Sequence, residues 1–302
     1  MTISYKVIMQ DYVIRAMDKE GNIRVFVALT TNLVNEARNI HNTTPTASAA
    51  LGRTLTAAAI MGTMLKNEKE IVSIQFKGDG PLNTILAVGN SRGEVKGYVG
   101  NPDVELPLNE RGKLDVGTAV GRNGKLIVIR DFGLKEPYIG QSNIVTGEIA
   151  EDLTNYFAYS EQQPSAVALG VLVDKDTSIK AAGGYIIQAL PDATEEALDK
   201  LERRMSQVEP VSSLIEKGYT PEEILNYVCS DFNMEITDKS PVSLTCDCSV
   251  ERIEKALIAI GKDELEKIIK EDGQAELVCH FCNEKYSFNK EELIKLLNEV
   301  IS

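Results

Sequence analysis

Cysteine is scarce in this chain: its 302 residues hold five, an odd number. A secreted disulfide scaffold spreads an even set of cysteines through a small domain, so that class is excluded. Long apolar runs are also absent. The longest apolar-and-glycine stretch, AAAIMGTML, is too short to span a bilayer. The N-terminal MTISYKVIMQDYV lacks the basic-then-apolar pattern of a secretory leader. A soluble, cytoplasmic protein without a membrane partner is the expectation. There is no internal repeat or low-complexity tract, and an ordinary apolar content of 43 % argues for a globular chain.

Positive charge is in deficit, and unevenly so. The net charge is −13. Residues 1–191 are nearly balanced, with 19 basic and 20 acidic side chains. Residues 192–240 carry 5 basic against 12 acidic, and residues 241–302 carry 8 against 13. Phosphate backbones are repelled by such an acidic surface, so a nucleic-acid partner is not expected.

What the sequence does contain falls into three parts. In residues 1–191, DYVIRAMD and IRVFVALT read as hairpin strands around the turn KEGN. TTPTASAALGRTLTAAAIMGTMLK reads as a long helix, with Thr44 as N-cap and Pro45 at its first position. Its small residues suggest close packing against a sheet. IVSIQFKG, LNTILAVGN, GEVKGYVG and KLIVIRD read as strands, GEIAEDLTNYFAYSEQ as a helix, and AVALGVLVD and GYIIQAL as further strands. A sheet with segregated helices makes this an α+β core domain.

Residues 192–240 read as an acidic helical linker. Its first helix has a thin apolar stripe of Ala197, Leu198, Leu201 and Met205, and Thr220, Pro221 and Glu223 make a strong later helix start. Such a segment is only marginally ordered unless it lies on a neighbour. Residues 241–302 form the third part. Ser249 can cap a helix carrying Ile253, Ala256, Leu257 and Ile260, ended at Gly261. Asp263 and Glu266 fit a capping box for a second helix. AELVC and KYSF read as hairpin arms, and Asn289 and Glu292 open a final helix with Leu293, Leu296, Leu297 and Val300.

Four of the five cysteines sit in this third part, as C-x-C (Cys246, Cys248) and C-x-x-C (Cys279, Cys282). Four thiolates are the ligand set of a tetrahedral structural zinc site. They leave no position for water or substrate, which argues against catalytic zinc. Zinc contributes about 10–16 kcal/mol to small zinc modules. That matches the whole stability of a typical domain, about 5–15 kcal/mol, so metal and fold should stand or fall together here. Oxidation to disulfides ejects the metal, and three pairings of four cysteines are possible. Only local pairing removes the tie between the two cysteine segments and lets the tail open. Opening bares apolar helix faces beside a dense acidic field. That combination suits a protein that holds unfolded chains without aggregating itself.

Other residues have plainer readings. His280 could replace a thiol ligand, but an exposed turn histidine is expected. Cys229 reads as a small apolar residue of the linker, able to cross-link under oxidation. Glu148, Glu151 and Asp152 could be acid–base groups; helix-start charges on a solvated face are expected instead. GDGP and GRNGK fit turns and lack the P-loop spacing. His41 reads as loop surface, and Tyr156, Phe157 and Tyr159 as packing or surface. No catalytic residue is assigned, and the protein is read as not an enzyme. Two competing readings stay open. One is a zinc ribbon with constitutive metal that binds RNA or a protein. The other is a thiol–disulfide enzyme using Cys279 and Cys282, disfavoured because that turn has no thioredoxin-like helix start.

Several blocks carry a resemblance over nearly the whole chain: GRTLTAAAIMG, QFKGDGPL, GEVKGYVGNP, VIRDFGLKEPYIGQ and TGEIAEDLTNYFAYSEQQPSAVALGV. CDCSVERIEKALIAIG and CHFCNEKYSF are the most specific. Together they resemble the bacterial redox-regulated heat-shock chaperones of the 33 kDa chaperonin (heat-shock protein 33) family. The resemblance implies a cytosolic, ATP-independent holdase. It implies that Cys246, Cys248, Cys279 and Cys282 hold Zn2+ when reduced. On oxidation they would form the disulfides Cys246–Cys248 and Cys279–Cys282, and residues 241–302 would thus be a redox-switch domain. It further implies that the linker then unfolds, that the activated form is a homodimer, and that the partners are unfolded or oxidatively damaged client proteins. Cys229 lies outside the family's cysteine motif.

Overall fold

The computed structural model describes residues 10–301. Residues 1–9, most of the stretch read above for a leader, and the side chain of Val300 lie outside the described residues. The first hairpin forms where its turn residues place it, as β1 (Tyr12–Asp18) and β2 (Ile23–Leu29). Gly21 adopts φ 78°, which suits glycine, and the buried Asp18 carboxylate accepts from Asn22 N and Nδ2 at 3.2 and 2.9 Å.

Helix α1 (Thr31–His41) follows, which the sequence reading left out. Thr30 supplies no side-chain cap. The cap is Asp11, far upstream, whose carboxylate accepts from Leu33 N at 2.7 Å and Asn32 Nδ2 at 3.0 Å. Helix α2 (Pro45–Thr63) starts as expected, but Thr44 does not cap it through its side chain. The Thr44 hydroxyl donates to the carbonyls of Pro102 and Val104 instead.

Two sheets enclose α2. The remaining strands of the first unit are β3 (Ile71–Gly78), β4 (Thr84–Asn90), β5 (Glu94–Val99), β6 (Gly124–Asp131), β7 (Tyr138–Asn143), β8 (Ser165–Val173), β9 (Ile179–Ala189), β10 (Met234–Pro241) and β11 (Ser243–Leu244). One sheet has the order β10-β1-β2-β9-β8, the other β11-β5-β4-β3-β6-β7. Helix α2 packs on β8 and β9 of the first and on β4 and β5 of the second. Every residue from Thr46 to Thr63 except Arg53 is buried, as a helix without a polar face must be. Its small residues permit close approach on all sides, not on one sheet only. A Cβ on Gly89 of β4 would overlap the Ala58 carbonyl of α2. The hydroxyls of Thr54 and Thr56 are satisfied by carbonyls one turn back, at 2.9 and 2.8 Å.

Short helix α3 (Val116–Val120) and α4 (Ile149–Tyr159) complete this core, and Tyr156 and Phe157 of α4 are fully buried in it. Beyond β9 come α5 (Glu195–Met205), α6 (Val211–Glu216) and α7 (Pro221–Val228). Thr220 and Glu223 form the full capping box that opens α7. These helices bury Leu201, Val211, Leu214, Ile224 and Leu225 with Ile14, Val25 and Ile187 from the first sheet. β10 then adds to the sheet edge beside β1, although most of its side chains are exposed.

The chain forms two compact units that meet between Thr245 and Cys246, so residues 192–240 lie in the first. The second unit has α8 (Val250–Ala259), α9 (Lys262–Glu271), the hairpin β12 (Gln274–Val278) and β13 (Lys285–Asn289), and α10 (Lys290–Ile301). Ser249 caps α8, and Asn289 with Glu292 caps α10 reciprocally. The Asp263–Glu266 box is not formed. Helix α9 starts two residues earlier, with Gly261 at φ 93° as its N-cap, so Asp263 is already inside the helix. On α8, Leu257 is buried while Ala256 and Ile260 are exposed. The core of this unit is small: Leu257, Leu265, Phe288, Leu293 and Leu296 are its buried members.

Candidate metal centre

The four clustered cysteines converge within the second unit. Cys246 and Cys248 precede α8, and Cys279 and Cys282 occupy the turn between β12 and β13. That turn is a tight knuckle: Cys279 N donates to Glu284 O at 2.9 Å, and Asn283 N to Cys279 O at 2.8 Å, with Asn283 at φ 59°. Asparagine tolerates that left-handed conformation better than most residues. All four sulfurs lie within 4.8 Å of one another. Cys246 Sγ is 3.7 Å from Cys279 Sγ, and Cys248 Sγ is 3.3 Å from Cys282 Sγ. A sulfur tetrahedron around zinc, with bonds of about 2.3 Å, has edges of about 3.8 Å. The tetrad fits such a group in donor type and in size, and it could hold a metal ion.

Electrostatics within the tetrad are uneven. Burial pushes the Cys246 thiol up, and pushes Cys282 up to about 11. The backbone N–H groups of Cys248 and Glu284 partly offset this by donating to those two sulfurs. At Cys248 burial also opposes ionisation, but the Tyr286 hydroxyl and the neighbouring thiols outweigh it, and its pKa falls. Tyr286 Oη donates to Cys248 Sγ at 3.1 Å. Like charges at these separations resist ionising together, so four thiolates in contact call for a cation among them.

Tyr286 was not legible as part of the site. It stands four residues after Cys282, on the strand leaving the knuckle, two before the buried Phe288 on the same strand face. That spacing was the available signal.

The other candidates lie elsewhere. His280 is exposed and not in the tetrad. Cys229 is buried at the end of α7 among apolar side chains, and burial pushes its thiol up to about 12. His41 is not loop surface: it ends α1, half-buried, with Nε2 3.0 Å from Gly97 O. The acidic trio splits. Glu151 is exposed and Glu148 pairs with Arg53, but Asp152 is fully buried. Asp152 accepts from the backbone N–H of Val145, Thr146 and Gly147 at 2.8, 3.1 and 2.9 Å, fixing the loop before α4. Its carboxyl is therefore an internal loop anchor, not a solvated helix-start charge.

An α+β core followed by a small C-terminal unit built on four converging thiols defines a two-unit protein with a candidate thiol metal centre, and comparison with known proteins narrows its class. A family model described as Hsp33 protein matches residues 11–289. A 33 kDa chaperonin from Alkaliphilus oremlandii is 55 % identical over 294 residues, covering 97 % of this chain and 98 % of that one. The 33 kDa chaperonin of Bacillus subtilis is 52 % identical over 283 residues, covering 94 % and 97 %. The crystal structure of the Thermotoga maritima 33 kDa chaperonin (heat shock protein 33 homologue) superposes with a TM-score of 0.88 at 38 % identity, covering 97 % of this chain and 99 % of that one. The chain belongs to the Hsp33 family of chaperones. Among the described residues no helix is long and apolar enough to cross a membrane.

Proposed function

We propose that this protein is a redox-regulated, ATP-independent holdase of the cytoplasm, closed while its thiols are reduced and hold Zn2+. The observation that carries this reading is the meeting of two cysteine pairs 33 and 34 residues apart in sequence. Bound by Cys246, Cys248, Cys279 and Cys282, zinc would supply a closed four-coordinate centre that balances thiolate charge. The rest is the work of the chain itself. Peroxide takes two electrons from each pair of thiolates; one S–S bond forms, the O–O bond breaks, and two protons taken up from solvent complete two waters. The local pairs Cys246–Cys248 and Cys279–Cys282 leave no covalent tie between the segments. Five buried side chains are then a small core for a unit of this size.

Thr245 directly precedes Cys246, and its N–H donates to Val95 O at 2.8 Å, so the tetrad continues without a spacer into β11 and β10. Upstream, residues 192–240 unfold with this release. Helix α5 is lightly held: it buries Ala197 and Leu201, and its Glu196–Lys200 pair is exposed. Unfolded or oxidatively damaged clients bind the apolar surfaces so bared, and the activated form is a homodimer. No catalytic turnover is part of this role.

Zinc-loaded protein treated with peroxide at raised temperature tests the reading, followed by metal release and by suppression of client aggregation. Release together with suppression is expected. Retained zinc without any gain in suppression would overturn it in favour of a constitutive ribbon. Catalytic turnover of a small disulfide would overturn it in favour of a thiol–disulfide enzyme.

A further inference from the structure

One cavity in the first unit carries unbalanced charge. It measures about 450 Å³ and opens at the C-terminal end of α2, with Arg24 and Gln188 from one sheet and Arg130 from the other on its walls. Strand register sets its inner wall. Arg24 of β2 lies opposite Gln188 of β9, which lies opposite Ser165 of β8. Gln188 is 2 % exposed and fully engaged: Oε1 accepts from Arg24 Nε at 2.9 Å, and Nε2 reaches Ser165 Oγ at 3.3 Å. This locks the Arg24 guanidinium in place while its two terminal amino groups have no partner among the described residues.

The carboxylates nearby are committed. Glu161 forms an ion pair with Arg130 Nη2 at 2.7 Å, without a well-aligned hydrogen bond. Glu70 accepts from the Lys66 backbone N–H at 2.9 Å and from the Asn67 amide. The Lys66 ammonium, at the exposed mouth of the cavity, forms no ion pair among the described residues. Behind Arg24 stands a third guanidinium. Arg15 and Arg24 lie 5.4 and 6.0 Å from the centroid of the same Phe26 ring, and Arg15 also donates to the Thr63 carbonyl at the end of α2. Burial, then Arg15 and Arg130, lower the Arg24 pKa, as expected of crowded cations. Arg24 and Lys66 thus form no ion pair among the described residues, although Glu161 and Glu70 act on them from nearby, and the cavity lining carries three cations against two carboxylates.

We propose that this cavity binds a small phosphate-bearing organic molecule through Arg24, Arg130 and Lys66. The excess of cations in the lining favours an anion, and a phosphate monoester carries about −1.5 to −2 charge at pH 7. A guanidinium fork meets two phosphate oxygens at once. Met61, Met64 and Phe132 supply an apolar wall for the rest of the molecule. The volume falls within the range of about 300–1,000 Å³ usual for small-ligand sites. The site shares no residue with the thiol tetrad, so it stands or falls independently of the redox reading.

The test uses full-length, reduced, zinc-loaded protein titrated with phenyl phosphate by calorimetry. Inorganic phosphate, benzoate and sodium chloride of matched ionic strength serve as comparisons. Saturable binding is expected, strongest for phenyl phosphate, weaker for inorganic phosphate and weakest for benzoate. Arg24→Gln weakens it by about tenfold or more, with the melting temperature of the ligand-free protein read alongside because the variant also removes the donor to buried Gln188. Lys66→Gln, at an exposed position, gives a smaller loss and serves as the second variant should the first misfold. No saturable heat with either phosphate up to about 10 mM would overturn the proposal. So would affinity unchanged in both variants, or benzoate binding as tightly as phenyl phosphate.

Discussion

The Tyr286 hydroxyl donates to the Cys248 sulfur at 3.1 Å, the one tyrosine bonded to the thiol tetrad among the described residues. Partners of this kind fix a ligand's orientation and stabilise its thiolate, and removing one changes metal affinity by about 10–100-fold. Tyr286→Phe keeps the ring and the strand. Zinc affinity measured by chelator competition is expected to fall about tenfold, with the circular dichroism of the zinc-loaded protein unchanged. Unaltered affinity would make the hydroxyl a bystander.

Two sulfur contacts run between the segments, Cys246 to Cys279 and Cys248 to Cys282, at 3.7 and 3.3 Å. All four sulfurs lie within 4.8 Å of one another, so each pairing is within reach; release of the tail requires the local ones. Peptide mapping of peroxide-treated protein by mass spectrometry is expected to find Cys246–Cys248 and Cys279–Cys282. Predominant cross-segment disulfides would leave the two halves tied and remove the basis for opening.

Burial pushes the Asp11 carboxyl up to about 6, against the pull of its hydrogen bonds from Leu33 and Asn32. In an unfolded chain the same group titrates near 4. The folded state therefore holds this proton more tightly. Its contribution to stability is largest below about pH 4 and is lost as pH rises through about 6, a change of about 3 kcal/mol. Asp152 acts in the same direction, since burial raises its pKa too. Asp11→Asn is expected to flatten the urea midpoint against pH over that window while lowering stability throughout through the altered α1 cap. An identical slope in variant and parent would show that Asp11 does not titrate in this range.

Gly89 sits where β4 touches the backbone of α2, and its missing side chain leaves room for the Ala58 carbonyl. Gly89→Ala is expected to destabilise the first unit by about 1–3 kcal/mol in urea unfolding, through overpacking. Gly21→Ala makes the contrast: nothing stands within 4 Å of a Cβ there, so only its φ of 78° resists the change. Equal losses at both positions would mean that the close approach carries no weight.

Much of this was readable in the sequence because the signals were local. Thr220 and Glu223 form their capping box within one turn, and the cysteine spacing announces the tetrad without any knowledge of the fold. What escaped depends on partners distant in sequence. Helix α1 is capped by Asp11, twenty residues before its start in the chain, so that start carries no local mark. β10, MEITDKSP, shows neither apolar alternation nor a run, because it is an exposed edge strand held by its backbone pairing with β1. Asp152 reads as a charge for solvent, and only the folded loop of Val145, Thr146 and Gly147 turns three N–H groups onto it. His41 and Tyr286 likewise acquire their partners through packing.

Residues 234–245 close two different sheets with one piece of chain. β10 covers the outer edge of β1, and a few residues later β11 lies along β5. Val242 N, between the two pairings, is fastened to Asp11 O at 3.1 Å, and Ser243 N, at the start of β11, to Gly93 O at 3.0 Å. Bare strand edges are where foreign peptides zip on and where proteins clump. Here both hems are sewn by a single thread, so one loosened stitch would fray the two fabrics together.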